Sequence, residues 1–236
     1  MKNTLILILA AIPTGIAVGA VDAAFGRVLL YIGEVRDAHV FWLVPFLGVV
    51  GAAMAWAYKN YGAGCESGMG MVLEAGHGER EEIPLRLIPF VMCATWLTHL
   101  FGGSAGREGV AVQLGAAISH RVGRLLRFED APRIMLITGM SAGFAGLFRT
   151  PFAATAFAME VLTAGRLEHR ALLPAALCAA MGYAAVFGSA TNTLIAPAPI
   201  GAEVFGWAAA PYMLVTCALA YAVNGNGSIY SGQRKG

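Results

Sequence analysis

"GGSAGREGVAVQLG", residues 102–115, sets an arginine beside a glutamate in a chain that is otherwise strongly apolar. Gly102, Gly103, Gly106 and Gly109 crowd the pair. That density of glycine works against a helix interior. The run that follows, "VAVQLGAAISHRVGRLL" (110–126), is compatible with one. The segment therefore predicts an irregular loop feeding a helix that starts within residues 108–111, its N-terminus turned into the protein. Open N–H groups at such an end, with the positive pole of the helix dipole, make an anion site. A carboxylate is itself an anion, so Glu108 can occupy the site it guards. Burial disfavours the charged carboxyl and N–H donors favour it, so a group held between the two can gain a proton and release the site. That exchange would couple protons to anions. A structural Arg107–Glu108 pair, or two charges at a membrane surface, is the plainer alternative. A nucleotide loop is disfavoured, because the Lys-Ser/Thr ending and a preceding strand are missing.

The composition supports an ionisable group placed within a membrane. Of 236 residues, 58% are hydrophobic and 13% charged, with mean hydropathy +0.66. Soluble domains carry about 25% charged residues. The expected fold class is thus an all-α polytopic membrane protein in which lipid is one partner. A net charge of +2 is too small to imply nucleic acid. Apolar runs long enough for membrane helices cover 4–30, 40–58, 85–101, 134–148, 151–164, 171–187 and 204–223, with Gly and Pro interrupting several. Broken helices persist in lipid only where protein or a water-filled cavity satisfies the freed backbone groups. Charges gather in the connections at 77–82, 120–133, 165–170 and the C-terminal end, as solvated loops and interfacial anchors. Lys2 and the apolar run after it read as a first membrane helix rather than a cleaved leader. Cys65, Cys93, Cys178 and Cys217 form no C-x-x-C pair, and three of the four sit in apolar runs, so buried thiols are expected. His77 and His99 lack ligand spacing, so no metal is expected. No nucleophile or metal set is visible, so neither an enzyme nor a cofactor is expected.

The chain also repeats itself. "GFAGLFRTPFAATAFAMEVL" (143–162) is echoed by "GYAAVFGSATNTLIAPAPIGAEVF" (182–205). The second copy carries four extra residues after its Phe; from there Pro151 to Glu160 and Leu194 to Glu203 keep the same spacing of nine. Repeated apolar segments broken by Gly and Pro mark transporter folds built from two related halves.

"GREGVAVQLG", with "LITGMSAGFAGLFRTPFAATAFAMEVL" downstream, resembles the CLC family of chloride channels and proton-coupled anion antiporters. "GMGMV" (68–72) sits where that family has G-S-G-I-P, and "NGNGSIY" resembles its terminal segment. The resemblance implies a gate and proton acceptor at Glu108. It further implies anion contacts at Gly106, Arg107, Gly109, Val110 and Tyr230, a homodimer, and a multi-pass place in the cell inner membrane. Met69 replaces the family serine, Val110 the proline, and Val161 stands at the inner proton glutamate, with Glu160 just before it. Met69, "GREGV" and "ATNT" together resemble the fluoride-exporting branch, which brings Met69 and Thr191 or Thr193 to the ion path. Loss of the serine hydroxyl weakens a chloride site; the preference for fluoride comes from the resemblance alone.

Family members are much longer. Here "GYAAVF" begins 39 residues after "GFAGLF", so the chain passes from the end of the first half into the last part of the second. The expected organisation is one membrane domain, 1–236, with residues 1–180 like the first half and 181–236 a remnant of the second. The expected function is proton-coupled fluoride export. A chloride channel or chloride/proton antiporter is the alternative within the class, and a non-transporting membrane fragment or interaction subunit the alternative outside it.

Overall fold

The opening helix, α1 (Lys2–Ala38), runs through the first apolar stretch and eight residues beyond its expected end at Leu30. At about 1.5 Å per residue it is about 55 Å long, well over the roughly 30 Å of a hydrocarbon core. Pro13 falls inside it. Beside the proline, the Thr14 hydroxyl donates to the Ala10 carbonyl at 2.7 Å, which keeps a polar side chain satisfied within an apolar helix. This structure is a computed structural model and describes residues 2–62, 64–163, 166–191, 198–199, 202 and 206–224.

The remaining elements are helical. Short α2 (Val40–Leu43) passes through a tight turn at Pro45 into α3 (Leu47–Tyr61), followed by α4 (Met69–His77) and α5 (Leu87–Leu100). Then come α6 (Glu108–Leu125), α7 (Ala131–Phe148), α8 (Pro151–Glu160), α9 (Leu172–Thr191) and α10 (Ala210–Asn224). Among the described residues, 3–38, 40–61, 131–148 and 169–187 form helices long and apolar enough to cross a membrane. The apolar stretch 151–164 does not behave as a spanning helix. Its helix, α8, has ten residues, about 15 Å, and the chain turns after it, where Thr163 N–H reaches the Glu160 carbonyl. Helices α5 and α10 are likewise shorter than a full span.

The core lies where α6, α7, α9 and α1 meet. Small residues let their backbones touch, as close packing between membrane helices requires. A β-carbon at Gly139 of α7 would overlap the Gly115 carbonyl of α6, and one at Gly143 the Ala111 carbonyl. Gly182 of α9 sits in the same way against the Ala142 carbonyl. By contrast, α2 and α3 bury no side chain; Phe41 and Trp42 are 90% and 78% exposed. In a membrane such a surface belongs to lipid. The "GYAAVF" of the second repeat copy lies in α9, which continues through the four extra residues to Thr191. The first copy instead ends its helix at Phe148, where Arg149 takes a left-handed conformation before Pro151 starts α8. The turn of the second copy, 192–197, and Glu203 lie outside the described residues.

Charge collects at one end of this bundle. Arg121 and Arg124, at the C-terminal end of α6, both pair with Glu82, at 2.8 and 3.1 Å. Arg133, in the first turn of α7, pairs with Glu168 at 3.5 Å, and Arg170, just ahead of α9, pairs with Asp130. Glu108 sits at the opposite end of α6.

Candidate functional site

The chain leaves α5 through Gly102, whose φ of 82° suits glycine, and runs irregularly to Arg107. Helix α6 starts at Glu108, as the glycine content predicts. Arg107 is its N-cap and supplies no side-chain hydrogen bond to the first turn, so N–H groups there stay open to an anion. The first turn of α6 thus presents the positive end of an 18-residue helix whose next residues, Val110 to Ala117, are buried against the core. That burial holds the end in place.

The end opens on a cavity of about 470 Å³ lined by Leu29, Leu30, Gly33 and Arg36 of α1, His99 of α5 and residues Ser104 to Glu108. Glu108 is exposed to it rather than enclosed by protein, as are Arg107 and Gly106. Arg107 and Glu108 form no ion pair with each other or with any described residue. Arg36 is held by Asp37 at 2.7 Å. His99 donates Nδ1–H to the Thr95 carbonyl at 2.8 Å, which turns its other ring nitrogen to different partners. The cavity wall thus carries the unpaired Glu108 carboxylate together with Arg107, the Asp37-bound Arg36 and the His99 imidazole.

Met69 opens α4, half-buried against the main core cluster, and its N-cap, Gly68, has φ 52° and gives no side-chain cap. Just before it, burial pushes the Cys65 thiol up from its ordinary value, with Glu66 adding to the shift and Arg86 and Arg80 opposing it. Cys65, Cys178 and Cys217 are buried, and Cys93 is exposed. Gln113 lies beside both Gly68, the residue before Met69, and Gly109, so the starts of α4 and α6 come close together there. Thr191 is the last residue of α9. Thr193 and Tyr230 lie outside the described residues. Val161 caps α8 and is half-buried, while Glu160 is exposed.

Two groups escaped the sequence reading. Asp22 of α1 is 6% exposed, and both its carboxyl oxygens lack a partner among the described residues; Gly146 of α7 faces it. A lone acid inside an apolar run was the available signal. Gln113 is 8% exposed, and its Oε1 is also unpartnered.

Residues 50–183 match the family described as voltage gated chloride channel. The chain belongs to the CLC family. A "Chloride/fluoride channel protein" from Pseudomonas syringae pv. tomato is 39% identical over 165 residues, covering 68% of this chain and 36% of that protein. An "H(+)/Cl(-) exchange transporter ClcA" from Citrobacter koseri is 26% identical over 173 residues, covering 67% and 37%. The chain thus spans little more than a third of the length of these curated CLC relatives. A solved CLC-type fluoride/proton antiporter superposes with TM-score 0.70 at 30% identity, covering 96% of this chain and 97% of that one. The all-helical CLC fold and a multi-pass membrane place follow; the CLC relatives are channels and transporters by name.

Proposed function

We propose that this chain carries anion transport coupled to protons, with fluoride as the anion and Glu108 as gate and proton acceptor. One observation carries the reading. An unpaired carboxylate stands at the uncapped N-terminus of α6, at the mouth of a cavity furnished with Arg36, His99 and Arg107. The unpaired Arg107 guanidinium draws an anion into the cavity. The Glu108 carboxylate competes for the same helix end, and protonation removes that competition, so that proton uptake and anion passage alternate. Gly106, Arg107, Gly109 and Val110 supply the contacts at the gate. Met69 lies on the path further in, with Thr191 or Thr193 and Tyr230 completing it.

The arginines at the far end of α6 and beside α7 and α9 support a cytoplasmic position for that end, by the positive-inside rule. Glu108 then faces outward from a cell inner membrane. The whole chain, 1–236, is one membrane domain, with 1–180 as first-half-like helices and 181–236 as a second-half remnant, and two copies form a homodimer. The fluoride/proton antiporter of similar fold supports fluoride. The ClcA relative supports chloride as the second reading. A non-transporting membrane fragment or interaction subunit is the third reading.

The test is the purified chain in liposomes, with fluoride efflux read by an ion electrode and proton uptake by external pH. Fluoride efflux accompanied by proton uptake supports the proposal. Chloride movement alone selects the second reading, and silence the third.

A further inference from the structure

Gln113 sits one and a half turns into α6, with its side chain wedged between two helix starts. A β-carbon built on Gly68, the N-cap of α4, would lie 3.5 Å from its Oε1 and 3.7 Å from its Nε2. One built on Gly109, in the first turn of α6, would lie 3.6 Å from Nε2. The residue is 8% exposed, Oε1 has no hydrogen-bond partner among the described residues, and neither α4 nor α6 has a side-chain cap. A buried carboxamide without a partner is costly and calls for an explanation. Packing alone offers none, because leucine or methionine would fill the same space without an orphaned polar atom.

We propose that Gln113 is a specificity-determining donor of the anion path, presenting its amide N–H2 to a small dehydrated anion held at the first turn of α4. The inference rests on the anion-transport reading above. An amide oxygen and nitrogen exchange places by a half-turn of the terminal torsion, which is broad and roughly two-fold. In one state Oε1 lies nearest Gly68 and itself occupies the positive end of α4. In the other, N–H2 faces Gly68 and joins the N–H groups of α4 around an anion. The oxygen then turns to the Gly109 side, where the first turn of α6 has open N–H groups. Both ends of the amide are satisfied only when the anion is present. A ring of donors at short reach favours a small anion, which gains most from direct hydrogen bonds once dehydrated.

The sequence makes the test clean, because the chain contains two glutamines, Gln113 and Gln233. The full chain is labelled with 15N on glutamine side chains, purified in detergent and titrated with sodium fluoride, then with sodium chloride, while calorimetry measures anion binding. The expected result is a saturable shift of one side-chain amide pair, absent in Gln113→Met, that follows the calorimetric curve for fluoride. Gln113→Met, folded by its thermal transition, should bind fluoride at least about tenfold more weakly, equivalent to about 1.4 kcal/mol. It should also lose preference for fluoride over chloride. Gln113→Asn, a second variant that keeps the amide, should hold more of that preference than Gln113→Met. Saturable fluoride binding with the Gln113 amide unmoved overturns the inference and leaves the transport reading standing. No anion binding by the wild-type chain overturns both.

Discussion

Arg107 and Glu108 are neighbours in the chain and leave each other unpaired. On the proposed reading the arginine serves the cavity and the glutamate the helix end, so removing either should act on a different step. Glu108→Gln keeps the shape of the protonated side chain but neither ionises nor carries a proton. Proton uptake should fall to background while residual anion flux persists. Arg107→Gln should slow anion entry, and more so at low salt, because the attraction is screened by ions. Paired fluoride-electrode and pH recordings in liposomes check both. Proton coupling that stays intact in Glu108→Gln would remove the gate from Glu108.

Gly139 has no room for a larger side chain. A β-carbon there meets both the Gly115 carbonyl and the Ser119 side chain. Ser119 is itself committed to the Gly115 carbonyl at 2.6 Å. Gly139→Leu should therefore cost at least about 1–3 kcal/mol, as overpacking does, and lower Tm in detergent by several degrees. Gly33, inside α1, has open space around it, so Gly33→Ala should not lower Tm and should raise it slightly, alanine being the better helix former. Equal thermal shifts for the two would mean that α6 and α7 do not pack as described.

Asp22 invites replacement by threonine. Threonine has nearly the same volume, and its hydroxyl can donate to the carbonyl four residues earlier, as Thr14 does to Ala10. Removing a buried group with two unpartnered oxygens should stabilise by about 1–3 kcal/mol. The thermal transition of Asp22→Thr should rise, and a clear fall would reveal a partner for the carboxyl.

The Glu82 pairs with Arg121 and Arg124 are about half exposed. Exposed pairs contribute about 0.2–1 kcal/mol each and weaken in salt. Glu82→Ala removes both pairs and should thus cost under about 2 kcal/mol, with the difference from wild type shrinking in 1 M salt. A loss that persists in high salt would point to packing by the Glu82 stem rather than charge.

The start of α6 was legible because glycine density before Glu108 and helix-compatible residues after it mark a boundary with a physical cause. The membrane class was legible from hydropathy. Helix length was not, since hydropathy does not register where the chain turns: α1 continues through the charged stretch after Leu30, and α8 stops at Glu160 inside an apolar run. The burial of α6 was hidden as well. Its glycines, alanines and serine are only mildly apolar, yet they allow the closest approach to α7. Asp22 and Gln113 take their meaning from what neighbouring helices fail to supply, which a single sequence does not display.

The glycine contacts that lock α6 to α7 and α7 to α9 also govern motion. Helices that meet backbone to backbone have no compressible layer of side chains between them, so sliding or rocking would break many contacts at once. On the transport reading proposed above, alternation between open and occupied states is left to small moving parts set in a stiff frame: the carboxylate of Glu108 swinging at the mouth and the amide of Gln113 turning in place. A transporter of that kind would work like a latch rather than a rocker, with its timing set by side-chain rotation and proton arrival.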